Sequence, residues 1–158
     1  MPPAPLIPLD QIDSGRVLFT REQIYEQLPH RFEFMLLNGV CMLDRDARRL
    51  VAYADIRSED WWVRGHVPDR PLLPGILMLE MAAQTSAVAA NMMTVSDGFI
   101  GLGMVEECKF RGTVVPPARL YFLCVVEVYR SRRIVSRTQG IVDGRLIFEA
   151  KITGFSLS

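Results

Sequence analysis

The sequence predicts an α+β domain with one short helix, one long apolar helix and five or six mostly antiparallel strands. Three observations carry this. Residues 75 to 93 form the longest apolar segment, broken by Glu80, Gln84 and Asn91. That is too long for a strand and too broken for a membrane span, so it predicts a core helix. After it the chain runs as strand-like segments to its end, two of them flanking Asp143-Gly144, a hairpin signal. Finally, no repeat, linker or low-complexity block divides the 158 residues, a length suited to one domain with one core.

In chain order, the first ten residues hold four prolines, which predicts an extended arm over residues 1–18 ahead of a core at 19–156. "TREQIYEQLPH" carries a capping box, with Thr20 as the cap and Gln23 reaching back, and Pro29 ends the short helix. "FEFMLLNGVCMLD" and "RRLVAYADI" read as two strands joined around "RDAR". Pro74 and Gly75 open the long helix, a position where proline is well tolerated. "GFIGLGMVEECKFR", "VVPPARLYFLCVVEVYRSR", "RIVSRTQGIV" and "LIFEAKITGF" complete the strands. A helix apolar on nearly all faces must be covered all round, and one sheet covers one side. The simplest cover for the other side is a second copy, so a dimer is expected.

Lys plus Arg equals Asp plus Glu at 18 each, which leaves neither a basic nucleic-acid footprint nor an acidic tail. The three cysteines, Cys41, Cys108 and Cys124, lie far apart in apolar runs and read as buried free thiols of a cytoplasmic protein. "MPPAPLIPLD" lacks the basic and apolar regions of a signal peptide.

The stretch "RGHVPDRPLLPGILMLEMAAQ" holds the chemistry. It sets His66, one of two histidines, in a proline-rich loop ahead of the long helix. Helix geometry places Glu80 about one and a half turns in, with Gln84 one turn further on the same face. A carboxylate there is costly unless paired, hydrogen-bonded or protonated. Burial would raise its pKa, which suits a general acid, while His66 suits a general base. The free N–H groups of Gly75 and Ile76 could polarise a carbonyl oxygen. Together these groups suggest proton abstraction beside a carbonyl, with a leaving group on the adjoining carbon. The plainer reading is structural: His66 caps the helix and Glu80 pairs with Arg64 or Arg70. No ligand cluster has zinc spacing, and Met78, Met81, Met92 and Met93 read as core filling.

On these residues the chain resembles the β-hydroxyacyl-acyl carrier protein dehydratases of fatty acid synthesis. "GHVPDRPLLPGILMLEMAAQ" is similar to their G-H-F-P, R/K-P, P-G-V-L and catalytic Glu followed by A-Q. "LPHRFEFMLL" and "KFRGTVVPPARL" resemble two further family motifs, so the likeness spans residues 20 to 155. It implies a hotdog fold, a long antiparallel β-sheet wrapped around a central α-helix. Protomers would pair into a continuous sheet, often as three dimers in a hexamer. It also implies His66 as base, Glu80 of the other protomer as acid and Gly75, with Ile76, as carbonyl donor, while His30 reads as structural.

The implied reaction eliminates water from a 3-hydroxyacyl thioester on acyl carrier protein, giving a trans-2-enoyl product. It needs no metal or redox cofactor, because both steps are proton transfers. Gln84 would orient Glu80. Val67, Leu77, Met104 and Phe110 are candidates for the acyl pocket, and Arg64, Arg70, Arg111 and Arg132 for docking the acidic carrier. Departures from the family pattern fall at Asn38, Gly39, Trp61, Trp62, Val67, Met104, Glu106, Gly112, Thr113, Pro117 and Ala118. They leave acyl length and carrier identity open. A hotdog acyl-thioesterase and a non-catalytic acyl-binding subunit are the alternatives.

Overall fold

A computed structural model describes residues 1–94, 99–130 and 132–157. Among the described residues there are three α-helices: α1 (Arg21–Glu26), α2 (Val63–His66) and α3 (Gly75–Met93). Seven strands form one sheet: β1 (Phe19–Thr20), β2 (Gly39–Asp44), β3 (Arg49–Ile56), β4 (Phe99–Phe110), β5 (Ala118–Arg130), β6 (Arg133–Val142) and β7 (Arg145–Leu157). Every pairing is antiparallel, in the order β1-β2-β3-β5-β6-β7-β4. The long helix α3 packs against β3, β4, β5, β6 and β7. This is the hotdog arrangement.

Local chemistry explains the elements that matched expectation. The box at α1 is complete: Gln23 N donates to Thr20 Oγ1 at 3.3 Å and Thr20 N to Gln23 Oε1 at 2.9 Å. Asp143 and Gly144 have φ of 49° and 75°, the two positive values that a two-residue type I′ turn between β6 and β7 requires.

Two strands are shorter than the sequence suggested. Residues 32–38 form a 3-10 turn at Phe32–Phe34 and then irregular chain before β2 starts at Gly39. Side chains take the backbone groups that a ladder would have used: Tyr25 Oη accepts from Leu37 N at 2.8 Å, and Gln84 Nε2 donates to the Phe34 carbonyl at 3.0 Å. β5 starts at Ala118 and not at Val114, because Pro116 and Pro117 have no N–H for the ladder. Gly98 and Ser131, which the strand-like runs included, lie outside the described residues.

The N-terminal arm is anchored. Leu6 N donates to Gln139 Oε1 at 2.7 Å, and Gln139 Nε2 donates to the Ala4 carbonyl at 3.1 Å. Ile7, fully buried, joins Cys41, Val51, Tyr53, Leu123 and Ile141 in a second apolar cluster on the face of the sheet away from α3. Both faces of β3 are thereby covered, which accounts for its nearly unbroken burial. Cys41 and Cys124 are buried free thiols pushed up to about 11 by burial, whereas Cys108 is only half-buried.

Helix α3 is better covered by its own chain than a single sheet was expected to allow. Eleven of its nineteen residues are buried, because five strands surround it and Tyr25 and Phe34 bond to Gln84. Apart from the two ends of the helix, what remains is a narrow stripe at helical spacing: Ile76, 69% exposed, then Leu79, Glu80 and Ala83. β4 is the sheet edge beyond β7, and it shows apolar side chains at Phe99, Leu102, Met104 and Phe110.

Candidate active site

The histidine loop is built on Trp62. That ring is buried, and the Trp62 carbonyl accepts from His66 N at 2.9 Å, closing the single turn of α2. Two further bonds fix the loop behind it, Leu72 N to the Arg70 carbonyl at 2.8 Å and Leu73 N to the Val114 carbonyl at 2.9 Å. His66 Nδ1 lies 2.8 Å from the Leu72 carbonyl. A carbonyl only accepts, so Nδ1 carries the hydrogen and Nε2 keeps its lone pair on an exposed edge. The loop therefore delivers a ring whose outer nitrogen is the basic one.

At the start of α3, the Pro74 carbonyl accepts from Leu77 N at 3.0 Å and Met78 N at 3.3 Å. The N–H groups of Gly75 and Ile76 bond to nothing among the described residues, so two donors stand open at the positive end of a nineteen-residue helix. A Cβ at position 75 would meet the Phe110 ring at 3.0 Å, a close contact that glycine avoids.

Glu80 sits in a chain of hydrogen bonds. Gln84 Nε2 donates to Glu80 Oε1 at 2.9 Å, and Gln84 Oε1 accepts from Tyr25 Oη at 2.6 Å. His30 Nε2 faces Glu80 Oε1 at 3.3 Å. Neither Arg64 nor Arg70 is a partner. Sequence reasoning gave His30 only a structural part, yet it is the first neighbour of the carboxylate. The one signal for it was the second histidine within "LPHR", since nothing local links positions 30 and 80. The expectation of a raised Glu80 pKa is reversed in this chain. The His30 hydrogen bond lowers it, desolvation by partial burial opposes that, and Gln84 adds to the lowering.

His30→Leu removes the first of those donors, and the Glu80 carboxyl is expected to titrate at higher pH than in the parent protein. A depressed carboxylate adds stability above its unfolded pKa and loses it as pH falls through its folded pKa. Loss of stability on acidification should therefore shrink in the variant. Carbon NMR titration of Glu80, with melting curves across the acid range, measures both. An unchanged or lower Glu80 titration would refute the role given to His30.

Beside Glu80 opens a groove of about 210 Å³. Glu80, Ala83 and Ala87 of α3 form one wall, and Ile100, Ile134 and Ile152 of the sheet the other, with His30 at the carboxylate end. His66 does not line it, so His66 and Glu80 do not share this groove within one chain. Val67, Leu77, Met104 and Phe110 do not line it either. Leu77 is buried in the core, Val67 is half-buried in the loop, and Met104 and Phe110 lie exposed on β4. Arg64, Arg70 and Arg132 are exposed, while Arg111 is held by Glu149 through two hydrogen bonds of 3.1 Å.

The fold is that of a hotdog protein, with the His66 loop and the helical Glu80 as its candidate acid-base groups. The comparisons agree. Residues 28–151 match the model of the FabA-like domain. The chain is 34% identical over 135 residues to the 3-hydroxyacyl-[acyl-carrier-protein] dehydratase FabZ of Oceanobacillus iheyensis, covering 84% of this chain and 94% of the relative. It is 33% identical over 140 residues to the FabZ of Listeria monocytogenes, covering 87% and 94%. Among solved structures it is similar to the dehydratase heterocomplex ApeI:P from Xenorhabdus doucetiae, with a TM-score of 0.73, 13% identity and coverage of 85% and 91%. It is also similar to Cj0977 from Campylobacter jejuni, with a TM-score of 0.69, 14% identity and coverage of 93% and 96%. The chain belongs to the FabA-like family, together with the FabZ 3-hydroxyacyl-[acyl-carrier-protein] dehydratases.

Proposed function

We propose that this chain dehydrates 3-hydroxyacyl thioesters carried on acyl carrier protein to trans-2-enoyl thioesters, as a step of fatty acid synthesis. The observation that carries the reading is the tie from His66 Nδ1 to the Leu72 carbonyl, which leaves Nε2 free on the loop that leads into a helix start with two open N–H donors. The thioester carbonyl accepts from Gly75 N–H, with Ile76 N–H beside it, and its polarisation acidifies the neighbouring α-hydrogen. His66 Nε2 takes that proton. The C–O bond to the hydroxyl breaks as the double bond forms, and the departing oxygen takes a proton from Glu80 in its protonated form, with Gln84 orienting the carboxyl. An acyl chain that fills the groove adds to the desolvation that favours this form, against the lowering by His30. The names of the relatives lend no support to the acyl-thioesterase or non-catalytic alternatives.

His66 is not among the residues that line the Glu80 groove, and in this reading each complete site combines His66 of one copy with Glu80 of another. The uncovered stripe from Ile76 to Ala83 and the apolar edge strand β4 support a homodimer, with sheets joined edge to edge. Exposed Arg64, Arg70 and Arg132 are suited to an acidic carrier protein. No described helix is long and apolar enough to cross a membrane, and a cytoplasmic site of action accords with a carrier-linked substrate.

The test is enoyl absorbance on mixing the purified protein with 3-hydroxyacyl thioesters on acyl carrier protein. Turnover that rises with carrier-linked over free pantetheine substrates is expected. No absorbance change across short and long chains would overturn the reading.

A further inference from the structure

The groove beside Glu80 is apolar along its walls but not throughout. Ser86 of α3 and Ser136 of β6 also line it, from opposite sides. Both are more than nine-tenths buried, Ser136 completely. The Ser136 hydroxyl has no hydrogen-bond partner of good geometry among the described residues. Ser86 meets only the Cys124 thiol, at 3.9 Å, a weak partner that also lies beside Ser136. Buried helical hydroxyls normally bond back to the preceding turn. Thr85 Oγ1 donates to the Met81 carbonyl at 2.8 Å and Thr94 Oγ1 to the Ala90 carbonyl at 2.6 Å, but Ser86 makes no such bond. Two buried hydroxyls with unspent donor capacity thus line, from α3 and from β6, a groove whose walls are otherwise mostly apolar, with Ala83, Ala87, Ile100, Leu102, Ile134 and Ile152. Leaving such groups unmet is costly, and a purely hydrocarbon chain would leave them so.

Resting on the dehydratase reading of this groove, we infer that the acyl chain it takes carries an oxygen, a hydroxyl or a ketone, near its far end. Six residues separate Glu80 from Ser86, so the hydroxyl pair lies about 9 Å along the helix from the carboxylate. The reacting carbons sit at Glu80, the hydrocarbon passes Ala83 and Ala87, and the distal oxygen bonds between Ser86 and Ser136. A plain chain of the same length fills the same volume but meets two buried donors with nothing to accept from them.

Two pantetheine thioesters test this. One is a 3-hydroxyacyl chain ending in a primary hydroxyl about 9 Å beyond the hydroxylated carbon. The other is its isostere ending in a methyl group. Calorimetric binding is measured on a His66→Ala background, which holds substrate without turning it over. The hydroxyl-ended chain is expected to bind at least about tenfold tighter, as a site built to hydrogen-bond its substrate requires. Ser86→Ala and Ser136→Ala should each reduce that preference, and the double variant should reverse it. Melting curves establish that each variant is folded, and Ser86→Ala keeps the test open if Ser136→Ala is not. Equal binding of the two chains, or a methyl preference shared by parent and double variant, would overturn the inference. A short 3-hydroxybutyryl thioester does not reach the serines, so its dehydration reports on the reaction alone. Absence of that turnover would refute the dehydratase reading without deciding the binding preference.

Discussion

His66→Ala and Glu80→Gln are each expected to lower kcat/KM by a factor of about 100 to 10,000, the range that a positioned general acid or base contributes. The two losses have different chemistry. Without His66, the open donors at Gly75 and Ile76 still polarise the carbonyl, but nothing removes the α-hydrogen. Without an acid at position 80, the hydroxyl must leave as hydroxide. Glutamine keeps the side-chain volume, so the loss would not come from packing. The decisive measurement mixes the two inactive proteins. If a site takes His66 from one copy and Glu80 from the other, a mixed dimer has one site with both lesions and one with neither. Unfolding the pair together and refolding them should then recover about a quarter of parental activity, half the dimers being mixed with one intact site each. No recovery from folded, co-assembled chains would mean that each copy completes its own site, and the composite arrangement would be abandoned.

The second large effect is on stability. Gln84 is 1% exposed and joins three elements: it donates to the Phe34 carbonyl and to Glu80, and accepts from Tyr25 Oη. Gln84→Leu fills a similar volume but leaves the Tyr25 hydroxyl, which still accepts from Leu37 N, without an acceptor for its proton, and leaves the Phe34 carbonyl without its Gln84 donor. Stranding two such groups costs about 2 to 4 kcal/mol, a melting decrease of roughly 4 to 16 °C for a chain of this size. Glu80 also loses a donor, so its pKa should rise at the same time. Thermal unfolding of Gln84→Leu beside Tyr25→Phe measures the network. The double variant should lose less than the two single losses combined, because both remove the same bond. Strict additivity would show that Tyr25 and Gln84 are stabilised independently.

Much of this architecture was legible from local patterns. The Thr20–Gln23 box, the Asp143-Gly144 turn and the apolar run 75–93 each depend on neighbours a few residues away, where propensity and periodicity act. The strand starts at Gly39 and Ala118 were misplaced for a related reason. At 32–38 the backbone is satisfied by Tyr25 and by Gln84, fifty residues downstream of Phe34, and no pattern along the chain records such a bond. The arm shows the same limit. Its prolines announced an extended segment, but its docking on the outer face of the sheet depends on Gln139, 133 residues beyond Leu6.

The candidate site divides the same way. The sequence by itself determined that a histidine loop precedes a helix with open N–H groups, and that Glu80 and Gln84 share one helix face, because both follow from spacing. Only the tertiary structure decided what surrounds the carboxylate. His30 arrives from fifty residues upstream and lowers a pKa that burial alone would have raised. Ser86 and Ser136 line one groove from two different elements, α3 and β6. Ionisation depends on the sum of all charges and donors within a few ångströms, and a groove on which side chains face one another. Both are properties of the folded neighbourhood, which spacing along a chain does not record.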